Sequence, residues 1–334
     1  MRIAVLGATG LVGRTMLNLL EEATFITGDP VLLSSANGAG TRMPFREREL
    51  ECHEVAAEHF AGVDIALFSA GGGPSLEWAP LAREQGVWVV DNSSAWRMDD
   101  TVPLVVPEIN GNLVSALEPG HAGGIIANPN CSTIQVALAV APLHAVFGVR
   151  EAHVTTLQAV SGGGQATVAA LMHEEAGEPD TSGAFPRPIH RNVIPAIGTL
   201  GDDGSYEEEV KVVRELRKIL GRGADLAVSC TATRVPVVNG HSAAIRLVCD
   251  RPFVAATAQA ALADFPGVES AAGPGEYLTP LEIDGSRSVH VGRLRPDPTD
   301  PCALLCWVVA DNLLKGAAWN AVQIAGLLAG KKSG

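Results

Sequence analysis

The chain reads Arg2-Ile-Ala-Val-Leu-Gly7-Ala-Thr-Gly10-Leu-Val-Gly13 near its amino terminus, and this stretch decides the fold of the first half. The apolar run from Arg2 to Leu6 is typical of a buried strand, and a helix is predicted from Leu11 to Glu22. Glycines between such a strand and helix let the backbone approach a pyrophosphate, with the helix amides facing the charge. A tight turn without a ligand is the alternative, because this spacing alone is only moderately specific.

Short apolar runs continue this pattern through the first 130 residues. They are Val31 to Ser35, Asp64 to Ser69, Val87 to Asp91 and Ile125 to Ala127. Fully apolar strands separated by helical segments are typical of a parallel sheet that is covered on both faces. With right-handed crossovers, they predict an α/β, Rossmann-like doubly wound domain over residues 1–130.

The pattern changes after Cys131, where a long apolar helix is predicted from Ser132 to Phe147. Longer strands are predicted at Ala152 to Val160, Leu226 to Arg234, Ser242 to Cys249, Ser288 to Leu294 and Ala303 to Ala310. Two turn pairs, Asn239-Gly240 and Asp284-Gly285, predict hairpins among these strands. Residues 131–311 are therefore expected to form an α+β domain with a mostly antiparallel sheet.

Two further segments bear on the domain organisation. Residues 177–204 are rich in Pro, Gly and polar side chains, which predicts a long surface excursion of functional or mobile character. A helix is predicted from Asn312 to Leu328, and its broad apolar face must pack against another surface. An oligomer contact is one option, but residues 312–334 are predicted to return to the first domain.

Composition excludes several functional classes. The 334 residues carry 24 Lys plus Arg against 37 Asp plus Glu, and this charge of −13 argues against nucleic acid or an anionic membrane as partner. No apolar run reaches the ~18 residues of a membrane span, and the amino terminus is predicted to be a buried strand instead of a signal peptide. Six cysteines without a C-x-x-C pair predict reduced thiols in a cytoplasmic protein, and no metal site is predicted.

The second predicted strand ends in Ser34-Ser35-Ala36-Asn37-Gly38, where sites that prefer NAD usually carry Asp or Glu. The absence of a carboxylate favours NADP, because a 2′-phosphate meets no like charge there and the Ser and Asn groups can donate to it. Arg42 is the nearest cation that could assist. A further glycine cluster, Ser69-Ala70-Gly71-Gly72-Gly73, leaves room for the nicotinamide half or is an ordinary turn.

The segment Ala127-Asn128-Pro129-Asn130-Cys131-Ser132-Thr133-Ile134-Gln135 carries the strongest chemical signal. It places Cys131 at the start of the long helix, where the helix dipole and free amides stabilise a thiolate. The same amides could form an oxyanion hole, with Asn130 adding a side-chain donor. A buried cysteine beside a polar cap is the alternative. The cysteines at 52, 230, 249, 302 and 306 are predicted to be structural.

Motifs spread along nearly the whole chain add to this signal. They are Gly7-Ala-Thr-Gly-Leu-Val-Gly13, Asp91-Asn-Ser-Ser-Ala-Trp-Arg97, Val106-Pro-Glu-Ile-Asn110, Asn128-Pro-Asn-Cys-Ser-Thr-Ile-Gln135, Gln158 with Ser161-Gly162, Arg234-Val-Pro-Val-Val-Asn-Gly-His241, Val291-Gly-Arg-Leu-Arg295 and Asp311-Asn-Leu-Leu-Lys-Gly-Ala-Ala318. Together they resemble the aspartate-semialdehyde dehydrogenases. The cysteine motif and the spacing from Arg234 to His241 are highly specific, whereas the glycine loop is not.

The resemblance implies reductive dephosphorylation of β-aspartyl phosphate to aspartate semialdehyde, with NADPH as hydride donor. It implies that Cys131 is the nucleophile that forms a thioacyl enzyme, and that Gln158 orients the acyl group. It also implies that His241 is the general acid/base, because an imidazole can take the thiol proton and return it near neutral pH. For a lone histidine, a structural place just past a turn is the alternative.

The resemblance further implies a set of substrate-binding side chains. Arg234 matches the clamp on the substrate carboxylate, Arg97 and Lys211 match the phosphate ligands, and Glu208 matches a contact to the amino group. From the residues alone, Glu208 closes a capping box that begins at Ser205, or pairs with Lys211 on a solvated helix face. The resemblance favours the substrate role over both.

The cofactor positions implied by the resemblance are Gly7, Thr9, Gly10, Leu11, Val12, Ser35, Asn37, Gly38, Gly72, Ser161, Gly162 and Asn312. Relatives often carry Arg at the position of Asn37, so the expected selectivity for NADP is weakened. The family usually forms homodimers, and a homodimer is expected here. The alternatives are a related acyl-phosphate reductase, such as N-acetyl-γ-glutamyl-phosphate reductase, and a non-catalytic nucleotide-binding paralogue.

Overall fold

The computed structural model describes residues 1–117 and 123–332, and the chain divides into two compact units. Unit one comprises Met1–Asn130 and Ala317–Gly334, and unit two comprises Cys131–Gly316. Unit one therefore combines two separate stretches of the chain, whereas unit two is one continuous segment.

Each unit contains both strands and helices. The strands are β1 (Ile3–Leu6), β2 (Val31–Ser34), β3 (Arg42–Phe45), β4 (Arg48–Glu54), β5 (Ile65–Phe68), β6 (Trp88–Asp91), β7 (Gly124–Ala127), β8 (Val149–Gln158), β9 (Ala227–Arg234), β10 (His241–Cys249), β11 (Val268–Ser270), β12 (Val289–Asp297) and β13 (Asp300–Ala310). The α-helices are α1 (Leu11–Glu22), α2 (Gly72–Glu84), α3 (Pro107–Asn110), α4 (Asn112–Ser115), α5 (Cys131–Phe147), α6 (Gln165–Glu175), α7 (Glu207–Ile219), α8 (Ala255–Ala263) and α9 (Trp319–Lys332).

The sheet of unit one confirms the doubly wound prediction. Its strand order is β3-β4-β2-β1-β5-β6-β7, and every pair is parallel except β3–β4 at one edge. The chain moves outward from β1 in both directions, so the carboxyl end of β1 lies at the switch point where such sheets bind ligands. The edge pair β3–β4 was not predicted, because its partly exposed residues do not form an apolar run.

Helix α9 belongs to unit one, as predicted for the end of the chain. Asn320 Nδ2 donates to Asn128 Oδ1 at 2.6 Å and to Val105 O at 3.0 Å. The predicted helix from Asn312 begins instead as a π-helical turn, Leu314–Ala318, and becomes α-helical at Trp319.

The sheet of unit two has the order β11-β12-β13-β10-β8-β9. Its three central pairs are antiparallel and its two outer pairs are parallel, so the sheet is mostly antiparallel as predicted. The two predicted hairpins are wrong, because β8 lies between β9 and β10, and β11 pairs in parallel with β12. Gly240 and Gly285 do turn the chain with φ of +92° and +81°, but local turn residues do not determine which strands pair.

The excursion over residues 177–204 is anchored by two buried isoleucines. Ile189 and Ile194 pack in one cluster with Val160 and Leu171. Ile194 also exchanges backbone hydrogen bonds of 2.8 and 2.9 Å with Arg234, the last residue of β9. This part of the chain is therefore tied to the sheet end of unit two. No helix within residues 1–117 and 123–332 is long and apolar enough to cross a membrane.

Candidate active site

Cys131 is the first residue of α5, and its thiol is partly exposed and outside any disulfide. Residues 132–140, which follow it, are all buried, so packing along the helix fixes the position of its first residue. A Cβ atom on Gly316 would lie 2.9 Å from Cys131 Cβ. The glycine therefore keeps the space beside the cysteine open.

Three strands of unit two bring the other predicted reactive groups to one edge of the sheet. β8 ends at Gln158, which is in register with Arg234 at the end of β9, and β10 begins at His241. The main chain of Ala159 contacts the side chains of both Arg234 and His241. Arg234 Nη1 donates to Ala159 O at 2.8 Å, and the Ala159 N–H donates to His241 Nδ1 at 3.1 Å.

The electrostatics of this edge favour a charged guanidinium beside a neutral imidazole. Burial lowers the pKa of Arg234, while the charges of Cys131 and Glu208 oppose that shift. Burial, together with the positive charge of Arg234, holds the pKa of His241 well below its usual value. His241 is 0 % exposed, and its Nε2 is a buried polar atom that has no hydrogen-bond partner among the described residues.

Gly162 lies against the same two side chains. A Cβ atom there would stand 2.9 Å from His241 Nε2 and 2.9 Å from Arg234 Nη1. Any other residue would crowd the ring nitrogen that has no partner. The glycine of the Ser161-Gly162 pair therefore leaves the space that these two side chains occupy.

Glu208 is buried and faces Gln158 instead of capping its helix. Gln158 Nε2 donates to Glu208 Oε1 at 3.2 Å. Lys211 Nζ lies 3.7 Å from Glu208 Oε2 and 2.7 Å from the more exposed Glu207. The structure thus brings Gln158, Glu208 and Lys211 together, and their binding of a substrate stays a prediction.

The capping box of α7 is formed by Glu209, so the predicted box that joined Ser205 to Glu208 is wrong. The helix begins one residue later than that pattern requires, at Glu207. Glu209 Oε2 accepts from the Tyr206 N–H at 2.8 Å, and its Oε1 accepts from the Ala232 N–H at 3.1 Å. Glu208 is therefore not needed for the cap.

A polar network holds the turn before His241. Asn312 Oδ1 accepts from the Gly240 N–H at 2.9 Å, and Asn312 Nδ2 donates to Ser161 Oγ at 2.9 Å. Asn239 Nδ2 donates to Asp311 Oδ2 at 2.9 Å. Ser161 and Asn312 are thus structural partners of the segment that carries His241, and their binding of the cofactor stays a prediction.

The glycine loop of unit one has both packing and open positions. Gly7 has φ of +85°, and a Cβ atom there would lie 2.3 Å from Ser69 O. A Cβ on Gly13 would lie 2.1 Å from Gly7 O, so these two glycines are required by the turn itself. A Cβ on Gly10 would approach only Gly7 O, at 3.4 Å, and one on Gly72 would meet nothing within 4 Å. Open backbone at these two positions fits a dinucleotide.

The end of β2 carries the predicted ribose-side residues. Ser35 and Asn37 are exposed, on either side of Ala36 at the start of the 3-10 turn Ala36–Gly38. Between residues 34 and 40 no carboxylate occurs. Residues 34–40 therefore present no carboxylate of their own to a 2′-phosphate.

Arg97 and Asn130 are buried in unit one, 7 % exposed each. Arg97 Nε donates to Asn128 O at 3.0 Å, and its Nη2 donates to Asn92 O at 2.7 Å. The guanidinium is therefore fixed against the segment that leads into Cys131.

Four of the other cysteines lie in surroundings that disfavour a thiolate. Burial raises the pKa of Cys230 to about 12, of Cys249 to about 11 and of Cys306 to about 12. Burial also raises the pKa of Cys52. These four thiols are poor nucleophiles near neutral pH.

Sequence reasoning missed two positions at this edge. Gly316 lies inside the motif Lys315-Gly-Ala-Ala318, and a glycine in a helical pattern is the signal that could have singled it out. Ala159 acts only through its main chain, and no sequence pattern reports such a role.

Two family models match the chain. A model described as "Semialdehyde dehydrogenase, NAD binding domain" matches residues 2–117, and one described as "Semialdehyde dehydrogenase, dimerisation domain" matches residues 140–315. The aspartate-semialdehyde dehydrogenase of Aquifex aeolicus is 43% identical over 98% of this chain and 97% of its own length. The enzyme of that name from Bacillus subtilis is 41% identical over 97% and 96%.

Solved structures agree with these relatives. Aspartate semialdehyde dehydrogenase II of Vibrio cholerae, complexed with ASA, superposes with a TM-score of 0.92 at 39% identity over 98% of this chain and 97% of that one. Aspartate semialdehyde dehydrogenase of Candida albicans, with NADP, has a TM-score of 0.81 at 25% identity over 99% of both chains.

Proposed function

This chain belongs to the aspartate-semialdehyde dehydrogenase family, and on that premise we propose that it reduces β-aspartyl phosphate to aspartate semialdehyde and releases phosphate. NADPH supplies the hydride when it is bound. One observation carries the proposal: a partly exposed thiol at a helix start interacts with a buried guanidinium, which in turn lies beside a neutral imidazole.

Cys131 is the nucleophile in this proposal. Its thiolate attacks the acyl carbon, phosphate leaves, and a thioester remains that accepts hydride more readily than a carboxylate would. The charge of Arg234 and the N-terminus of α5 both favour the thiolate. Asn130 and the first amides of α5 are assigned to the developing oxyanion, and His241 is assigned as the general acid/base.

Arg234, Glu208 and Gln158 are assigned to the aspartyl part of the substrate. A guanidinium can bind the carboxylate through two parallel hydrogen bonds, which fixes its orientation. The buried carboxylate of Glu208 suits the substrate ammonium group. The bond between Gln158 and Glu208 would couple recognition of the amino group to the orientation of the acyl group.

Lys211 and Arg97 are assigned to the phosphate. Two cations suit a dianion on a protein whose net charge is −13. Lys211 pairs with the half-exposed Glu207 at 2.7 Å, so a bound phosphate would compete with this exposed ion pair.

The cofactor positions are assigned in the same way. The residues are Gly7, Thr9, Gly10, Leu11, Val12, Ser35, Asn37, Gly38, Gly72, Ser161, Gly162 and Asn312. Open backbone at Gly10 and Gly72 and the absence of a carboxylate after β2 support NADP at this site.

A homodimer and a cytoplasmic location complete the proposal. One face of the unit-two sheet exposes side chains near its centre, including Thr155, Thr231 and Ala244, and the match to a dimerisation domain supports a second copy of this chain as its cover. All six cysteines are free, which suits a reducing compartment.

The reverse reaction tests the function directly. Aspartate semialdehyde should reduce NADP only when inorganic phosphate is present. N-acetylglutamate semialdehyde should not reduce NADP in place of aspartate semialdehyde. Iodoacetamide should abolish turnover as Cys131 is alkylated, which mass spectrometry of the peptides can follow. Turnover that survives full alkylation of Cys131, or that prefers the acetylglutamyl substrate, would contradict the proposal.

A further inference from the structure

An exposed arginine follows the glycine loop of unit one. Arg14 is the fourth residue of α1, and its Nε donates to Thr9 O at 3.0 Å. Among the described residues, its terminal nitrogens Nη1 and Nη2 have no hydrogen-bond or ion-pair partner. Leu17 and Asn18, one turn further along the helix, supply no carboxylate to pair with it. The charged end of this side chain is therefore available to an anion.

A cation at this position is unfavourable for the helix taken by itself. The start of a helix carries a partial positive charge, which a nearby anion stabilises and a nearby cation does not. The first turn of α1 has no acidic residue, and Gly10 at its N-cap has no side chain that could accept from the free amides. An anionic ligand would compensate both these amides and the guanidinium of Arg14.

Thr9 connects Arg14 with the turn that follows β2. Its carbonyl accepts from the guanidinium, and its hydroxyl lies close to Gly38, where an added Cβ would stand 3.1 Å from Thr9 Oγ1. Ser35 and Asn37 are exposed in the same turn. In this fold the adenosine ribose of a dinucleotide binds at the end of the second strand. Arg14 therefore lies beside the residues that are assigned to the ribose.

The packing of α1 against the β3–β4 hairpin supports this placement. Arg14 and Glu21 are seven residues apart, which is about two turns, so they share one face of the helix. Glu21 Oε1 accepts from the Arg46 N–H at 2.8 Å, in the turn between β3 and β4. β3 is antiparallel to β4, and β4 is parallel to β2, so β3 starts at the end of the sheet where β2 ends. Two turns before Glu21, Arg14 is thus at the end of the sheet that carries the turn after β2.

Arg42, the other cation near this turn, is less well placed. It opens β3, in which the buried Met43 and Phe45 alternate with exposed residues, so its side chain lies on the outer face of the strand. Arg42 is also in register with Glu51 on β4. This carboxylate would repel an anion that bound to Arg42, whereas Arg14 has no such neighbour one turn away.

We propose that Arg14 binds the 2′-phosphate of NADP and sets the preference of this chain for NADP over NAD. The inference rests on the proposed cofactor site of unit one and is independent of the aspartyl substrate. A guanidinium can bind a phosphate through two parallel N–H donors, and Nη1 and Nη2 are the donors that remain while Nε is bonded to Thr9 O. Ser35 and Asn37 add neutral donors from the turn after β2.

Calorimetric titration of the full chain with NADP and with NAD tests the assignment without turnover. The two nucleotides differ only in the 2′-phosphate. For Arg14→Gln, we expect the Kd of NADP to rise at least about tenfold and the Kd of NAD to change less than about twofold, because one charge-assisted phosphate contact is lost. Arg42→Gln is the matched control, since it removes the same charge close to the same turn, and it should change both values less than about twofold.

The probe adenosine 2′,5′-bisphosphate, which lacks the nicotinamide half, should lose affinity for Arg14→Gln by the same factor as NADP. Three results would overturn the proposal. They are an unchanged Kd of NADP in Arg14→Gln, an equal rise for NADP and NAD, which would show that Arg14 only supports the glycine loop, and a selective rise in Arg42→Gln.

Thermal melting gives a second readout that also reports on folding. At equal concentration NADP should raise the melting temperature of the wild-type chain more than NAD does, and this difference should disappear in Arg14→Gln. A difference that persists in full would contradict the proposal. Both measurements use nucleotide alone, so they give their answer even if the wild-type protein fails the aspartate-semialdehyde assay.

Discussion

The main chain of Ala159 positions two side chains, those of His241 and Arg234, so a shift of this peptide would move both. Its amide donates to His241 and its carbonyl accepts from Arg234. Gly162 lies against both of these side chains. A single methyl group added at residue 162 would therefore displace the two groups together.

For Gly162→Ala, we expect a loss of at least about tenfold in kcat/KM, which corresponds to about 1.4 kcal/mol of transition-state free energy. The added Cβ would stand 2.9 Å from both His241 Nε2 and Arg234 Nη1. Its backbone is not left-handed, so the melting temperature should change little. Steady-state kinetics and calorimetry check both parts. Gly275→Ala is the control, because nothing lies within 4 Å of that added Cβ.

Two adjacent glutamates of α7 give a matched pair of variants. Glu208→Gln should raise KM for aspartate semialdehyde with little change in stability, because Glu208 faces Gln158 and not the cap. Glu209→Ala removes two bonds to main-chain amides and should cost about 1–2 kcal/mol of unfolding free energy with KM unchanged. Urea unfolding measures the stability of both variants, and substrate titration measures their KM. A loss of stability in Glu208→Gln, with the rise in KM in Glu209→Ala, would show that Glu208 is the capping residue.

Sequence reasoning at the residue level depended on which contacts a motif can report. It identified Cys131 from its place at a helix start, and the structure places the residue there. It gave Glu208 as the capping residue where the structure has Glu209, because the helix begins one residue later, after Tyr206 instead of after the serine that the capping pattern requires.

At the scale of elements, the bend between β12 and β13 carries its own pH dependence. The hydroxyl and amide of Thr299 donate to Asp297 Oδ1, Arg246 Nε lies 2.6 Å from Asp297 Oδ2, and together they lower the pKa of Asp297 to about 2. A lowered carboxyl pKa stabilises the fold above the unfolded value of about 4. That stabilisation is lost as the pH falls through about 2.

For Asp297→Asn, we therefore expect lower stability than wild type above about pH 4, and a difference that closes as the pH approaches about 2. Urea unfolding at a series of pH values measures it. A difference that stays constant over this range would show that the carboxylate charge does not contribute. Asp264→Asn, at the end of α8, is a surface control.

Element bounds followed from hydropathy, but pairings did not. The bounds of α1 are those predicted, and α5 begins one residue early, because apolar period and caps are local signals. The pair Asn239-Gly240 correctly predicted a turn but wrongly predicted a hairpin. β8 lies between β9 and β10, and this pairing depends on contacts between strands that are distant in sequence. No helix was predicted over residues 165–175, which form α6, because these residues have no strong apolar face.

At the scale of the whole molecule, the open face of the unit-two sheet gives the test for self-association. Ala244 is exposed and lies in register between Thr155 on β8 and Trp307 on β13. For Ala244→Asp, we expect a monomer in light scattering in place of the proposed dimer, because the added carboxylate would be buried against the second copy of the chain. Ala256→Asp, exposed on α8, should leave the dimer intact.

Unit one needs both early and late parts of the polypeptide, since Asn320 on α9 bonds Asn128 and Val105. A ribosome makes β1 first and α9 only after all of unit two has been synthesised. Unit two is contiguous and can mature on the nascent chain, whereas the nucleotide-binding half must wait for translation to reach residue 319 and beyond. Truncated translation products should therefore expose the unfinished Rossmann-like sheet to chaperones and proteases while unit two is already folded.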